Sequence, residues 1–184
     1  ELGIRPLGYV PESEECRLES RHLGLVLPGE VENITERLDR LAEILEETVD
    51  LDGLLELAGT APELSAGMPA ELRQTLDSLE AKEIRRVAPV IGVARDEVFQ
   101  FIYADNLRLL EELGAKIVFF SPLHDSHLPE GLQGVLLYGG YPELYAEKLS
   151  GNDSMRRELK TALVAGMPCM AECGGYMYLS QQME

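Results

Sequence analysis

The chain has 184 residues, of which 45% are hydrophobic, and its 33 acidic and 16 basic side chains give a formal net charge of −17. This charge argues against nucleic acid and anionic membranes as partners, because both repel an acidic surface. No apolar run approaches the roughly 20 residues of a membrane-spanning helix and no secretory signal opens the chain, so we expect a globular protein of one domain or one and a part.

Two short strand-like runs come first, Leu7–Val10 and Leu23–Leu27, and a proline follows each of them. A helix is predicted next, because Asn33 and Glu36 form a capping-box pattern and apolar residues recur behind them at helical spacing. These apolar residues are Ile34, Leu38, Leu41, Leu45 and Val49.

A change of composition then separates this region from the rest of the chain. Residues 59–70 are rich in small residues, glycine and proline, which indicates a linker. Residues 71–86 are strongly charged and helical at most, so we interpret them as a solvated connector. The predicted linker covers residues 59–88.

From residue 89 onward the pattern alternates between strands and helices. Asp105 is the expected cap and Gly114 the expected stop of the first helix, and Gly166 ends the second. This order describes an open, mostly parallel α/β sheet, whose ligands bind at the carboxyl ends of the strands. The predicted strands are Val90–Ala94, Lys116–Phe120, Val135–Tyr138 and Met167–Ala171, and the predicted helices are Asp105–Leu113 and Asp153–Ala165.

The strongest candidate for chemistry is Cys173, which follows the last predicted strand and precedes two glycines. In a nucleophile elbow the attacking side chain lies on a strained strand-to-helix turn, and small residues two positions before and after it let the flanking backbones pass closely. Ala171 and Gly175 occupy these positions. We expect the following helix to favour the thiolate, and the N–H of Gly174 to stabilise an oxyanion.

The other explanation for Cys173 is a small, inert core residue, since free cysteine is commonly buried. The charge of Glu172 and the two following glycines fit a core position poorly, so a nucleophile is favoured. With Cys16 and Cys169 the cysteines are odd in number and lack a framework spacing, which predicts reduced thiols in a cytoplasmic protein. No further cysteine or histidine pair stands near Cys169 and Cys173, so we expect no metal site.

A second candidate is the loop that begins with Gly139 and Gly140, after the strand that ends at Tyr138. Two glycines let a backbone approach a ligand or present an N–H group at positive φ. A glycine pair after a strand is usually only a turn. Here it lies at the same edge of the predicted sheet as Cys173, which favours a second oxyanion donor.

Four stretches of the second region carry a family resemblance. They are VARDEVFQFIYADN (93–106), FFSPLHDSHLP (119–129), LLYGGYPELYAEKL (136–149) and AECGGYMYL (171–179). Together they resemble the glutamine amidotransferase domain of the cobyrinic acid a,c-diamide synthase family, and the earlier ESRHLGLVLP resembles the end of that family's ATP-dependent synthetase domain. The resemblance implies a class I, flavodoxin-like amidotransferase domain at residues 89–184 and a partial α/β domain at residues 1–58.

The activity that the resemblance implies is that of a cytoplasmic ligase of cobalamin (vitamin B12) biosynthesis. Cys173 would attack the side-chain amide of glutamine and form a γ-glutamyl thioester, while Gly174 and Gly140 donate N–H groups to the oxyanion. In the synthetase domain, MgATP would phosphorylate the a- and c-acetate carboxylates of a cobyrinate-type tetrapyrrole, and ammonia would displace the phosphate. The residues implied to bind glutamine are Gly139, Tyr141, Pro142 and Glu143.

Both termini lead us to expect a piece of a longer protein, because Glu1 is not an initiator methionine and Glu184 falls within the helix expected after the elbow. The resemblance implies that the ATP and tetrapyrrole sites precede Glu1 and that the histidine base follows Glu184, so no cofactor is expected here. We expect this piece alone to turn over little glutamine, and to expose apolar surface that favours a homodimer. Surface or loop positions are expected for the three histidines, His22, His124 and His127.

Two alternatives stay open at this point. Nickel-sirohydrochlorin a,c-diamide synthase shares these motifs, and the residues that would discriminate it lie in the tetrapyrrole site. A flavodoxin-like module that binds a ligand or partner without catalysis would use Cys173 only structurally. That module predicts no selective reactivity of the Cys173 thiol.

Overall fold

A computed structural model describes most of the chain, and it divides into two compact units, Glu1–Ala66 and Gly67–Glu184. No helix among the described residues is long and apolar enough to cross a membrane. The division into domains at residues 1–58, 59–88 and 89–184 stays a prediction. The described residues are 3–21, 24–26, 28–63, 67 and 69–181.

The first unit is mainly helical in its described part. The expected strand Leu7–Val10 is wrong, since only Gly8 pairs there, in an isolated bridge with Val49. A Cβ at Gly8 would lie 2.7 Å from the Cα of Val49, so the absence of a side chain lets the two backbones come this close. The pairing does not extend beyond this single bridge. The elements are two 3-10 turns at Glu14–Cys16 and Pro28–Glu30, an antiparallel pair of strands β1 (Ser20–Arg21) and β2 (Gly24–Leu25), and helices α1 (Ile34–Thr48) and α2 (Leu51–Gly59).

Helix α1 confirms the helical pattern but not its predicted cap. Asn33 precedes the helix in the left-handed conformation, with φ at 56°, and its side chain makes no capping hydrogen bond. A capping side chain accepts a hydrogen bond from the N–H of the second or third helical residue, and it does so from a residue whose own backbone is extended. The left-handed conformation of Asn33 therefore prevents the predicted capping box. Of the expected strand Leu23–Leu27, β2 covers Gly24–Leu25, and Leu23 and Leu27 lie outside the described residues.

The second unit alternates strands and helices, as the sequence predicts. The predicted strands at 90–94 and 116–120 are confirmed to the residue. The elements are α3 (Ala70–Leu76), α4 (Leu79–Val87), β3 (Val90–Ala94), β4 (Phe99–Phe101), α5 (Ala104–Glu112), β5 (Lys116–Phe120), β6 (Gly134–Leu137), β7 (Gly139–Gly140), a 3-10 turn (Pro142–Tyr145), α6 (Ala146–Gly151), α7 (Asp153–Val164), β8 (Cys169–Ala171) and α8 (Gly174–Tyr178).

Four of these strands form one parallel sheet in the order β5-β3-β6-β8. Val93 pairs with Phe119 on one side and with Leu136 on the other, and Leu137 pairs with Ala171. In chain order of the four strands this arrangement is 2-1-3-4, which is the beginning of the flavodoxin-like order. The predicted open α/β sheet of flavodoxin-like type is therefore confirmed.

The stretch expected to be a solvated connector forms the helices α3 and α4. At the end of α4, the Nε of Arg85 donates a hydrogen bond to the carbonyl of Glu112, at 3.1 Å. A Cβ at Gly114 would lie 2.6 Å from the Cα of Arg85, so the glycine lets α4 approach the end of α5. The predicted connector is thus part of the second unit and packs against the end of α5.

The predicted helix ends are mostly confirmed. Gly114 and Gly166 follow α5 and α7 with φ at +97° and +95°, as glycines that stop helices often do. Asp105 as the cap of α5 is wrong: the helix begins one residue earlier, at Ala104, and the flanking residue is Tyr103. The carboxylate of Asp105 instead lies in the first turn, where its negative charge interacts favourably with the positive end of the helix dipole.

The core of the second unit lies between the sheet and the helices α6 and α7. It contains the ends of β3 and β6, the beginning of β4 and the loop after β5, so it supports the edge at which the parallel strands end. Its buried members are Ala94, Val98, Phe99, Phe120, Leu123, Val135, Leu137, Leu149, Met155 and Leu159.

Candidate active site

Cys173 lies on a strained turn between β8 and α8. Its backbone has φ at 50° and ψ at −114°, which is a costly conformation for a residue with a side chain, and the residue is exposed. The turn is held from both sides, because Glu172 donates its N–H to the carbonyl of Leu137 at 2.9 Å and the carbonyl of Cys173 accepts from Met177 at 3.0 Å. The strand-to-helix elbow predicted from the sequence is present, and Cys173 is not the core residue of the alternative explanation.

Glycines allow α8 to begin directly against its neighbours. A Cβ at Gly175 would lie 2.6 Å from the carbonyl carbon of Leu137, at the end of β6. A Cβ at Gly174 would lie 2.9 Å from the nitrogen of Gly140 and 2.9 Å from the Cδ of Pro142. All three distances are shorter than real Cβ contacts, so any larger residue at either position would push the elbow away from β6 and from the Gly140 loop.

The glycine loop comes to the same place. A Cβ at Gly139 would lie 3.5 Å from the Cβ of Cys173, which puts the backbone of this glycine beside the thiol-bearing residue. Gly139 and Gly140 form β7 and pair antiparallel with β4, and the next residue, Tyr141, donates its N–H to the carbonyl of Val98 at 3.0 Å. The structure therefore brings together Cys173, Gly174, Gly139 and Gly140, as the sequence predicted.

The remaining predicted residues follow the glycines: Tyr141 flanks the 3-10 turn Pro142–Tyr145, and Pro142 and Glu143 begin it. Tyr141 and Pro142 are buried, and Glu143 is partly exposed. Their backbone stays close to the elbow through the approach of Pro142 to Gly174. Their part in binding glutamine stays a prediction.

Sequence reasoning missed the aromatic residues of β4 and of the segment after it. The ring of Phe101 packs edge-on against Tyr141, with 5.4 Å between the ring centroids, and its Cδ2 lies 3.0 Å from a Cβ placed on Gly139. Tyr103 donates its hydroxyl to a carboxylate oxygen of Glu172 at 3.4 Å. The two phenylalanines of β4, two positions apart, are typical of a strand, and this spacing was the available clue.

The described histidines, His124 and His127, lie on the loop after β5, where each contacts a carboxylate. Nε2 of His124 lies 2.8 Å from a carboxylate oxygen of Glu97, and Nδ1 of His127 lies 3.1 Å from one of Glu158. The pKa of the Glu97 carboxyl is lowered by its own backbone N–H and then by His124. His22 lies outside the described residues.

The other cysteines differ from Cys173 in their surroundings. Cys16, in the first unit, donates its thiol to the carbonyl of Arg37 at 3.7 Å. Burial of the sulfur raises the pKa of the Cys169 thiol, so the thiolate fraction at neutral pH is reduced there. Within the ranges that the structure describes, no group of three or more histidine, cysteine or acidic side chains is arranged to hold a metal ion.

Comparison with known proteins points in one direction. Residues 90–184 match the model of a family described as the CobB/CobQ-like glutamine amidotransferase domain. No solved structure matches the chain significantly.

Three curated relatives carry the name cobyrinate a,c-diamide synthase. The protein of Caldanaerobacter subterraneus is 40% identical over 98% of this chain and 37% of its own length. The proteins of Clostridium tetani and Methanosarcina acetivorans are each 40% identical as well, over 99% and 98% of this chain and 38% and 36% of their own. The chain thus spans between 36% and 38% of the length of these relatives.

Proposed function

The chain belongs to the family of CobB/CobQ-like glutamine amidotransferase domains, and from this premise we propose that it hydrolyses glutamine at Cys173. The observation that carries the proposal is the position of an exposed cysteine on a strained strand-to-helix turn, beside the backbone of Gly139, Gly140 and Gly174. Strain of this kind is kept where the surrounding structure enforces it, and it is common at catalytic residues.

In the proposed reaction, the thiolate of Cys173 adds to the side-chain amide carbon of glutamine. The carbonyl oxygen takes up the negative charge, and the N–H groups of Gly140 and Gly174 stabilise it. The carbon–nitrogen bond then breaks, and the nitrogen takes up the proton that the Cys173 thiol lost on ionisation and leaves as ammonia. Water hydrolyses the remaining γ-glutamyl thioester, which releases glutamate and regenerates the thiol.

The residues after Gly140 are proposed to hold the substrate. Tyr141 and Pro142 are buried and fix the backbone of this loop, while the carboxylate of Glu143 suits the α-ammonium group of glutamine. We add Phe101, because its ring packs on Tyr141 and lies against Gly139, on the side of the loop that faces β4.

For the whole protein, we propose a ligase that amidates the a- and c-acetate carboxylates of cobyrinic acid in cobalamin biosynthesis. The relatives' shared name supports this acceptor, and supports it over nickel-sirohydrochlorin. The reaction needs MgATP, but the chain contains no G-x-x-x-x-G-K-[ST] phosphate-binding sequence. We assign the binding of ATP and of the tetrapyrrole to the part of the relatives that this chain does not match.

The proposed partners otherwise follow from charge and surface. A net charge of −17 argues against nucleic acid or an anionic membrane as partner, and three cysteines without a framework spacing support a cytoplasmic protein. Exposed apolar side chains on β8 and α8, Met170 at 47% and Tyr176 at 69%, support a homodimer. Light scattering should show a mass that rises from one chain to two with concentration, and a single-chain mass throughout would contradict the dimer.

The test of the glutaminase proposal is labelling with the chloroketone analogue of glutamine. The thiolate forms a carbon–sulfur bond with the chloromethyl carbon, and chloride leaves with the bonding electrons. Peptide mass spectrometry should find the adduct on Cys173, with glutamine but not D-glutamine protecting it. The Cys173→Ala variant should take up no label, whereas equal labelling of Cys16 and Cys169 would favour the non-catalytic binding module.

A further inference from the structure

Asp96, the second residue after β3, accepts four hydrogen bonds from two different loops. Its Oδ1 accepts from the backbone N–H groups of Val98 and Phe99, at 2.9 and 3.2 Å. Its Oδ2 accepts from the hydroxyl of Ser121, at 2.8 Å, and from the N–H of Leu123, at 2.9 Å. One partly buried carboxylate therefore ties the turn before β4 to the loop after β5.

The turn that Asp96 holds is in contact with the glycine loop. The carbonyl of Val98 accepts the N–H of Tyr141 at 3.0 Å, and a Cβ at Gly140 would lie 2.7 Å from the carbonyl carbon of Val98. Since Gly140 in turn lies against Gly174, a displacement of Val98 is passed on through backbone atoms in contact. No flexible side chain stands between them to absorb it.

A second line of contacts runs from the same turn to the helix that follows the cysteine. The side chain of Phe99 is fully buried, and its ring packs edge-on against Tyr178 of α8, with 5.5 Å between the centroids. The turn 96–99 thus touches the glycine loop through Val98 and α8 through Phe99. It supports the two backbone segments that flank Cys173.

We propose that Asp96 is a positioning residue that sets the distance between the N–H groups of Gly140 and Gly174 and the thiol of Cys173. The two carboxylate oxygens of Asp96 are engaged by the four hydrogen bonds described above. The proposal rests on the proposed glutaminase function, because it concerns the geometry of the oxyanion donors. Small errors in such geometry are costly, since donors act only when they lie at hydrogen-bond distance from the developing oxyanion.

The test compares two reagents on Asp96→Asn. Asparagine keeps one oxygen for Val98 and Phe99 but places an NH₂ group opposite the N–H of Leu123, so the turn and the loop separate. In labelling by the chloroketone analogue of glutamine, the thiolate first adds to the ketone carbon, which places negative charge on its oxygen. The carbonyl then re-forms as the sulfur bonds to the chloromethyl carbon and chloride leaves. Iodoacetamide alkylates the thiolate directly, by loss of iodide and without an oxyanion. We expect the ratio of the two rates at Cys173 to fall on the order of 10- to 100-fold.

The matched control is Asp125→Asn. Its Oδ2 accepts the N–H of Ser121 at 2.7 Å, so the carboxylate holds the same loop but has no bond to the turn before β4. The ratio of rates in this variant should stay within about twofold of the parent, since an effect on the oxyanion donors requires the turn to move. Equal falls in both variants, or no fall in Asp96→Asn, would overturn the positioning role.

Two further results keep the test decisive. If Asp96→Asn does not fold, Ser121→Ala removes one of the four hydrogen bonds of Asp96, together with the bond that the Ser121 hydroxyl accepts from the N–H of His124 at 2.9 Å. The ratio should then fall about two- to fivefold, and an unchanged ratio would overturn the proposal. The parent protein is labelled first, and a failure of glutamine to protect its Cys173 would count against the glutaminase function itself. A selectively labelled parent with an unaffected Asp96→Asn would count against Asp96 alone.

Discussion

Replacing Gly175 by alanine should disable the elbow without touching the thiol. The new Cβ would lie 2.6 Å from the carbonyl carbon of Leu137, whereas ordinary contacts begin at 3.4 Å. Because the obstructing atoms are backbone atoms of β6, α8 must move by about 1 Å. Overpacking of this kind costs roughly 1–3 kcal/mol of unfolding free energy, and a misplacement of about 1 Å lowers reactivity by on the order of 100-fold.

The assay is the rate of chloroketone labelling at Cys173, together with a urea unfolding curve. Gly151→Ala is the matched control, because no atom lies within 4 Å of the Cβ position there and the residue ends α6 at an ordinary φ. We expect the control to label at the parent's rate and to be at least as stable, since alanine favours helix over glycine. A Gly175→Ala protein with the parent's labelling rate and urea midpoint would refute the reasoning from close backbone approach.

Three further predictions concern the second unit. Met155→Ala empties a fully buried position in the core and should lower the unfolding free energy by roughly 2–5 kcal/mol; a loss below about 1 kcal/mol in urea would contradict this packing. Asn152→Asp keeps the acceptor that caps α7 but loses the two N–H donors to Pro122 and Asp125, at 2.9 and 2.8 Å, so urea unfolding should show a loss of about 1–3 kcal/mol. Burial raises the pKa of Tyr178 to about 12. As the pH rises above 10, the Tyr178 phenol ionises in the unfolded chain before it does so in the folded protein. Its contribution to the unfolding free energy is therefore complete below pH 10 and should be lost as the pH rises toward 12. Difference absorbance at 295 nm should show a tyrosine step near pH 12 that is missing from the Tyr178→Phe variant, and identical high-pH steps in the two proteins would contradict the burial.

The candidate site was largely predictable because its chemistry is written in short stretches. Cys173 and the glycines around it were found from the local requirement that backbones pass closely at an elbow, and the structure shows that contact between Gly175 and Leu137. The meeting of Gly139–Gly140 with the cysteine was predicted from the rule that parallel strands end at one edge. Both inferences need only the order of the strands along the chain and the steric properties of glycine.

The partners of Phe101 and Asp96 were not predictable in this way. Phe101 reaches the site because β4 pairs with β7, a contact between residues some forty positions apart that no local pattern announces. In the sequence, Asp96 is one acidic residue after a predicted strand, and nothing marks it among the other acidic residues of the loops. Only the fold showed that the hydroxyl of Ser121 and the N–H of Leu123 donate hydrogen bonds to it.

The sequence by itself determined the parallel sheet, the helices α1, α5 and α7 and the place of the strand-to-helix turn at Cys173, because periodicity and glycine sterics act within a few residues. Only the tertiary structure decided the start of α1, the conformation of Leu7–Val10 and the support of the Gly139–Gly140 loop. Each of these depends on what lies opposite in space: the left-handed turn at Asn33, the close approach of Gly8 to Val49, and the loop that Asp96 fastens. Such contacts between distant segments exist only once the chain has folded.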